Sequence, residues 1–516
     1  MAKEEIPGAA ICLVVDGKPA WIEGFGVTDR KSKRPIGVDT IFSIQSTSKN
    51  MTTTAIMLAA QRGMLDLDKP VAAYLPTFTV NSRFDARPQE KMTLRHLLSS
   101  RAGFTHDAPV GNNFDLSFPS FAEHVDSISQ TWLRFPIGER FRYANLGFDL
   151  AGHILQTAAN KPFAECLQTM VFDPLGMNDT TADTETYSQR ANRAVGHRRG
   201  YESVPLRIPF IPAGGVYASA RDLIPYLLFH LHKGTAGGRA LLEEKRWDEM
   251  HSFRFGGAYS LGIAGGQLRF GDTDLWMLTH NGGGCGFGSV FRFYPQAKLG
   301  VAVLFNAEGS AAYRWGGALT DEILTRNYGK QTARTRIDDF AAAKLPRQAL
   351  QKFVGNWIGR EFARNFTLVD GVLVMQRDGN NVPVRTSSAV DIVVPGEDPA
   401  RDAVAMRYFP ARAGMPPHLE SALGDGNLDY NDGPDDAPGP DKKEWDKYVG
   451  RYWVDVWGKP TRQVSVLRKN GYLYLDAVRM VVESSRGLFF MSDGEAVDFR
   501  KNPPTWRNIP LRRVEA

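Results

Sequence analysis

Near residue 335 the chain changes character, and this shift limits its fold more than any other feature. Before it, helix-period and strand-period segments are mixed; after it, segments become short, alternating and turn-rich. The later part also echoes itself. Lys352-Phe-Val-Gly-Asn-Trp357 is matched by Lys447-Tyr-Val-Gly-Arg-Tyr452, and strand-like runs follow each. These are Phe366 to Val369 and Val372 to Met375 in one, Gln463 to Leu467 and Leu473 to Leu475 in the other. Repeated β units of this size predict two small antiparallel barrels. Between them, Gly424 to Pro440 is rich in Asp, Gly, Pro and Asn. It reads as a linker or exposed loop; the alternative is a loop that folds back to a site and offers carboxylates to a cationic group.

The first part reads as strands flanking a helical block. Ala9 to Val15 and Pro19 to Val27, joined by Asp16-Gly17, predict a hairpin. Lys49 to Arg62 reads as a mostly buried helix closed by Gly63. Further helices are expected from Thr93, in the later part of Tyr143 to Gln156, over Ala220 to Leu231 and over Phe340 to Phe353. Strand-like runs return between Tyr259 and Phe305. Strands on both sides of helices imply an antiparallel sheet sandwiched with helices, an α+β fold.

Bulk properties exclude several classes. A length of 516 residues suggests about three domains. With 43% hydrophobic and 23% charged residues the composition is that of an ordinary globular protein. A net charge of +5 with no basic face argues against nucleic-acid binding. Cys12, Cys166 and Cys285 are odd in number and far apart, which argues against a disulfide framework. No apolar run reaches the length of a membrane span. The N-terminus enters a strand almost at once. That reads as cytoplasmic for the chain as it stands, and as periplasmic or secreted for a trimmed form.

The chemistry begins at Ser46-Thr47-Ser48-Lys49, where the strand-like Ile41-Phe42-Ser43-Ile44 gives way to a helical pattern. Residues i and i+3 share a helix face, so the amine can reach the hydroxyl. A helix start adds unpaired N–H groups and positive dipole that favour an oxyanion. A chain this long carries roughly two Ser-x-x-Lys matches by chance, so the rest of the sequence has to decide. Tyr143-Ala144-Asn145 follows the turn signal Pro136-Ile137-Gly138, and His280-Asn281-Gly282-Gly283 follows the strand-like Leu275 to Thr279. A nucleophile-elbow Gly-x-Ser-x-Gly is absent, and His230 and His232 lie two apart and cannot share a metal on one helix face.

Taken in this order, these elements resemble the penicillin-recognising serine hydrolases, in their class C β-lactamase-like (S12-type) branch of esterases, D-aminopeptidases and D-alanyl carboxypeptidases. Thr93 to Gly103, Pro136 to Asn145, Phe172 to Met177, Pro212 to Asp222 and Tyr259 to Gly262 also match recurrent pieces of the group, collinearly over residues 6 to 330. The resemblance implies a β-lactamase-like domain over 1–335, with an antiparallel sheet flanked by helices plus a helical subdomain. Lipocalin-like barrels over 336–425 and 441–516 would follow, with an acidic Pro/Gly linker over 426–440. That architecture is similar to D-aminopeptidase, in which a barrel loop reaches the active site and selects substrates with a free amine.

The resemblance also implies roles. Ser46 would be the nucleophile and Lys49 its proton acceptor, as a neutral amine. Tyr143 would relay the proton to the leaving group, and Asn145 would hold Lys49 or a substrate amide. Backbone N–H groups of Ser46 and Gly283 would form the oxyanion hole, with Asn281 and Gly282 binding substrate. His280 stands where β-lactamases carry a lysine and would offer charge only part of the time, which argues against antibiotic hydrolysis as the main task. The implied substrate is a small peptide or amide, with D-residue-containing or unusual peptides such as linearised microcystin within the range of the wider group. A carboxylesterase and a non-catalytic penicillin-binding receptor are the alternatives. Neither cofactor nor metal is implied.

Overall fold

The computed structural model describes every residue except 2–4, 112–116, 200–203, 205–207, 255–257, 310, 332–339, 360–362, 397–402, 413–414, 422–426, 457–458 and 515–516. The divisions expected at 335 and 425 lie outside the described residues. Among the described residues, no helix is long and apolar enough to cross a membrane.

The first sheet is six-stranded and antiparallel throughout. It contains β1 (Gly8–Val15), β2 (Lys18–Gly26), β7 (Ala264–Phe270), β8 (Thr273–Gly284), β9 (Phe287–Tyr294) and β10 (Leu299–Phe305), in the order β2-β1-β10-β9-β8-β7. Two ribbons lie outside it: β3 (Ile41–Ser43) with β4 (Tyr217–Ser219), and β5 (Thr235–Ala236) with β6 (Arg239–Ala240). Asp16 and Gly17 both have positive φ, the tight hairpin geometry their sequence predicts.

β1 reads as an unbroken apolar run because both its faces are covered. Ala10, Cys12 and Val14 join the core that holds Leu227 and Leu231 of the helix Ala220–Leu231. Ala9 and Ile11 join Ala311 and Ala312 of the helix Ala311–Tyr328 on the other side. The helical block between β3 and β7 centres on the helix Ser48–Gln61, buried in all but its last residue. Its threonines are tolerated there because Thr52, Thr53 and Thr54 each donate to a carbonyl, at 2.7, 2.8 and 3.0 Å. The helix ends as expected at Gly63, in left-handed φ, with the Met64 N–H returning to the Ala59 carbonyl.

Two β units follow. The first is a nine-stranded antiparallel sheet from Gly355–Ile358 to Leu428–Asp432, curled around Trp357, Phe366, Met375 and Leu419. The second is a closed eight-stranded barrel from Gly450–Val456 to Ile509–Arg513, around Tyr452, Val466, Leu473 and Leu511. The sequence echo is a structural one. In both units a short 3₁₀ turn leads into the first strand through a positive-φ glycine, Gly355 or Gly450. The aromatic two residues later then donates four residues back: Trp357 Nε1 to the Phe353 carbonyl at 2.8 Å, and Tyr452 Oη to the Tyr448 carbonyl at 2.7 Å.

Two expectations change. Of the helix read over Phe340 to Phe353, only Arg347–Leu350 and the 3₁₀ turn Gln351–Phe353 form, because Pro346 fits only at a helix start. Within the segment read as linker, Leu428–Asp432 is a strand paired with Gly355–Ile358 and His418–Ser421. Its acidic residues are matched by cations: Asp429 takes Arg140 at 2.6 Å and also Arg142, and Asp436 takes Arg479 at 2.5 Å.

Those first contacts join the β units to the helical block. From the second barrel, Glu495 accepts from Thr105 Oγ1 at 2.7 Å, the Asp493 carbonyl accepts from Arg134 at 2.7 Å, and Asn508 Nδ2 donates to the Asp107 carbonyl at 2.8 Å. The barrels join each other through Asn431, whose side chain bonds the Ala477 carbonyl at 2.9 Å and the Arg479 N–H at 2.7 Å.

Candidate active site

Ser46 lies in a single 3₁₀ turn, Gln45–Thr47, between β3 and the helix Ser48–Gln61. The turn is bolted to the sheet. Ser289 of β9 donates to the Ile44 carbonyl at 2.7 Å and its hydroxyl sits 2.9 Å from Thr47 Oγ1. The Val216 N–H donates to Ser48 Oγ at 3.0 Å. Gln45, just before Ser46, is buried and holds a left-handed φ of 50°, with its amide donating to Ser43 Oγ at 2.8 Å. Such a conformation is uncommon for a residue with a side chain and marks stored strain.

Lys49 is fully buried and its Nζ is the hub of the site. It lies 3.0 Å from Ser46 Oγ, 2.7 Å from Asn145 Oδ1 and 2.7 Å from the Ala213 carbonyl. The ring of Tyr143 covers the amine at 4.9 Å and that of Phe148 at 5.6 Å. Asn145 opens the helix Asn145–Ala159, and Tyr143 sits in the extended stretch that leads into it. One short segment therefore supplies both side chains from the same direction.

His280, Asn281, Gly282 and Gly283 lie on β8. A Cβ at Gly282 would stand 2.1 Å from the Ile44 carbonyl and 3.0 Å from Gln45 Cβ, so only glycine lets the strand lie against the Ser46 turn. Gly282 is buried where its strand lies against that turn. Gly283 and Asn281 are exposed, and a Cβ at Gly283 would meet nothing within 4 Å.

His280 departs from expectation. It is buried, and burial together with neighbouring Lys49 pushes its pKa down to about 3, against the opposing bond to Asn281. Its Nδ1 lies 2.8 Å from the Asn281 carbonyl, an acceptor, so that nitrogen carries the proton. Nε2 then accepts from Tyr259 Oη at 3.0 Å. The histidine is neutral and orients Tyr259; it is no part-time cation. Cys285, next to the glycine run, is buried with its thiol pushed up to about 12, so it holds no thiolate there.

The structure thus gathers Ser46, Lys49, Tyr143 and Asn145 around one amine. It sets His280 behind them, its ring 6.1 Å from that of Tyr143. Sequence reasoning assigned no role to Tyr259, 5.9 Å ring to ring from Tyr143, although Tyr259 to Gly262 stood out as a recurrent piece. It also assigned none to the Ala213 carbonyl, a main-chain atom with no signature, or to Gln45, whose backbone angle no residue type announces.

The Beta-lactamase family model matches residues 1–320, well over half of the chain. Protein flp of Staphylococcus aureus (strain NCTC 8325 / PS 47) is 25% identical over 311 residues, 59% of this chain and 61% of that protein, so the chain spans only that share of this relative. A Beta-lactamase of Providencia stuartii is 27% identical over 348 residues, covering 59% of this chain and 84% of that one. SurE with D-Leu superposes at TM-score 0.58 with 21% identity, over 83% of this chain and 96% of its own. The octameric penicillin-binding protein homologue from Pyrococcus abyssi gives 0.54, 21%, 83% and 97% for the same quantities. A class C beta lactamase from Rhodobacter sphaeroides gives 0.52 with 23% identity and covers 63% of this chain and 96% of its own. At these identities the structural matches speak to the fold alone.

Proposed function

This chain belongs to the Beta-lactamase family, and from that premise we propose that it is a serine hydrolase working through an acyl-enzyme at Ser46. Its proposed substrates are peptides or amides rather than esters, D-residue-containing peptides among them. The observation that carries the reading is the contact of Lys49 Nζ with Ser46 Oγ, Asn145 Oδ1 and the Ala213 carbonyl. A neutral amine has two N–H bonds and one lone pair. With its hydrogens on Asn145 Oδ1 and the Ala213 carbonyl, the lone pair is left for the Ser46 hydroxyl.

In the proposed reaction Ser46 Oγ attacks the substrate carbonyl as its proton passes to Lys49. Tyr143, over the same amine, relays that proton to the leaving nitrogen. The developing oxyanion takes the N–H groups of Ser46 and Gly283; one such donor is worth about 2.7–4 kcal/mol of barrier stabilisation. Water then retraces the path to release the acid. His280 holds Tyr259 and β8 in place without contributing charge. That neutrality speaks against a carboxylate-seeking site of the β-lactamase kind.

The test compares purified protein on a D- or L-amino-acid p-nitroanilide, its N-blocked version and a p-nitrophenyl ester. Preference for the free-amine anilide is expected. Turnover of the ester alone would replace this reading with a carboxylesterase, and turnover of none, with no labelling of Ser46 by a fluorophosphonate, would replace it with a non-catalytic receptor.

A further inference from the structure

Beneath Lys49 lies a buried pair that the reaction above does not use. Asp149 and His124 are 0% and 1% exposed. Asp149 sits four residues after Asn145 and so shares its helix face. One of its oxygens, Oδ1, accepts from the Ala213 N–H at 3.0 Å. The Ala213 carbonyl in turn accepts from Lys49. Two partners of the amine therefore trace to one helix face: Asn145 directly, Ala213 through Asp149. Thr52, one turn beyond Lys49, holds the same loop through the Pro212 carbonyl at 2.7 Å.

His124 completes the arrangement from the helix Phe121–Ser127. Its Nε2 lies 3.1 Å from Asp149 Oδ2 and its Nδ1 lies 2.8 Å from the Val110 carbonyl. Both neighbours are acceptors, so both ring nitrogens are satisfied only if both carry protons. Burial opposes that charge, but the bond and charge of Asp149 outweigh it and hold the imidazole above its ordinary range, with Asp107 adding in the same sense. The Phe210 ring lies 6.5 Å away. On the Lys49 side, Tyr143 and His280 are titratable neighbours.

We propose that Asp149 and His124 are positioning residues for Lys49: Asp149 anchors the loop whose carbonyl aims the amine, and the His124 imidazolium cancels the carboxylate charge that would otherwise hold the amine as an ammonium. The inference rests on Lys49 as the base. Its sign is definite. An uncompensated carboxylate below Lys49 stabilises the ammonium, so the base becomes available only at higher pH.

Two measurements test this. In the unaltered protein, ¹⁵N spectra of the histidine rings at pH 7.5 are expected to contain a buried ring that carries two protons. In His124→Gln, the acidic limb of the rate of fluorophosphonate labelling at Ser46 is expected to move up by about one pH unit. The double variant H124Q/D149N is expected to bring the limb back. A folded, labelled His124→Gln with an unmoved limb, or a neutral ring in the unaltered protein, would overturn the inference. If His124→Gln fails to fold while the double variant folds with the original limb, charge compensation is supported. Absence of labelling in the unaltered protein would instead remove the hydrolase reading itself.

Discussion

Replacing Asp429 by alanine tests how the first β unit grips the segment that carries Tyr143. The Asp429 carboxylate takes Arg140 and Arg142, and the three side chains are only 3%, 2% and 11% exposed. Burial pulls Arg142 below its usual range and the charge of Asp429 pushes back. Removing the carboxylate strands two guanidiniums away from water. Losing one partner of a buried pair costs about 3–5 kcal/mol, and Glu139, 3.7 Å from Arg140, offsets part of it, so a loss of about 3 kcal/mol is expected. For a unit of some 300 residues that is roughly a 5 °C fall in midpoint. The assay is thermal unfolding by calorimetry, with the Ser46 labelling rate measured in parallel. Asp391→Ala is the control: its carboxylate takes two N–H bonds from the single Arg407, at 2.7 and 3.1 Å, and Arg407 is 62% exposed. An exposed pair is worth about 0–1 kcal/mol. If the two variants lose the same stability, the reasoning from burial fails. Labelling is expected to slow only in Asp429→Ala, because Arg142 adjoins Tyr143.

Other outcomes follow from the same geometry. Gln45→Gly relieves a left-handed backbone worth about 1 kcal/mol or more, so the midpoint is expected to hold or rise while acylation slows; faster acylation would contradict a positioning role for the strained turn. His280 is expected to titrate near pH 3 by NMR and to leave no inflection near 6.5 in the labelling profile. Because its folded value lies below its ordinary 6.5, the stability it contributes is complete above about pH 6.5 and is lost as the pH falls toward 3; stability that grew on acidification through that window would refute the neutral assignment.

The parts of this protein readable from sequence are those set by short spacing. Ser46 and Lys49 meet because three residues make nearly one helical turn, and the hairpin at Asp16-Gly17 and the helix stop at Gly63 follow from local backbone preference. The barrels were legible because the Gly355 and Gly450 segments repeat a pattern. What escaped depends on distant partners. Asp429 sits in an acidic stretch that looks like linker, yet its arginine lies 289 residues away. His280 looks like a part-time cation until burial is known. The Ala213 carbonyl and the left-handed φ of Gln45 belong to the main chain, which composition does not describe.

The most direct test of the central claim is to trap the intermediate. During turnover of a slow amide or ester, acid quenching and peptide mapping by mass spectrometry should find the acyl group on the peptide that bears Ser46. It should be absent in Ser46→Ala, and should form far more slowly in Lys49→Ala. Acyl transfer to another residue, or undiminished turnover in Ser46→Ala, would contradict the account.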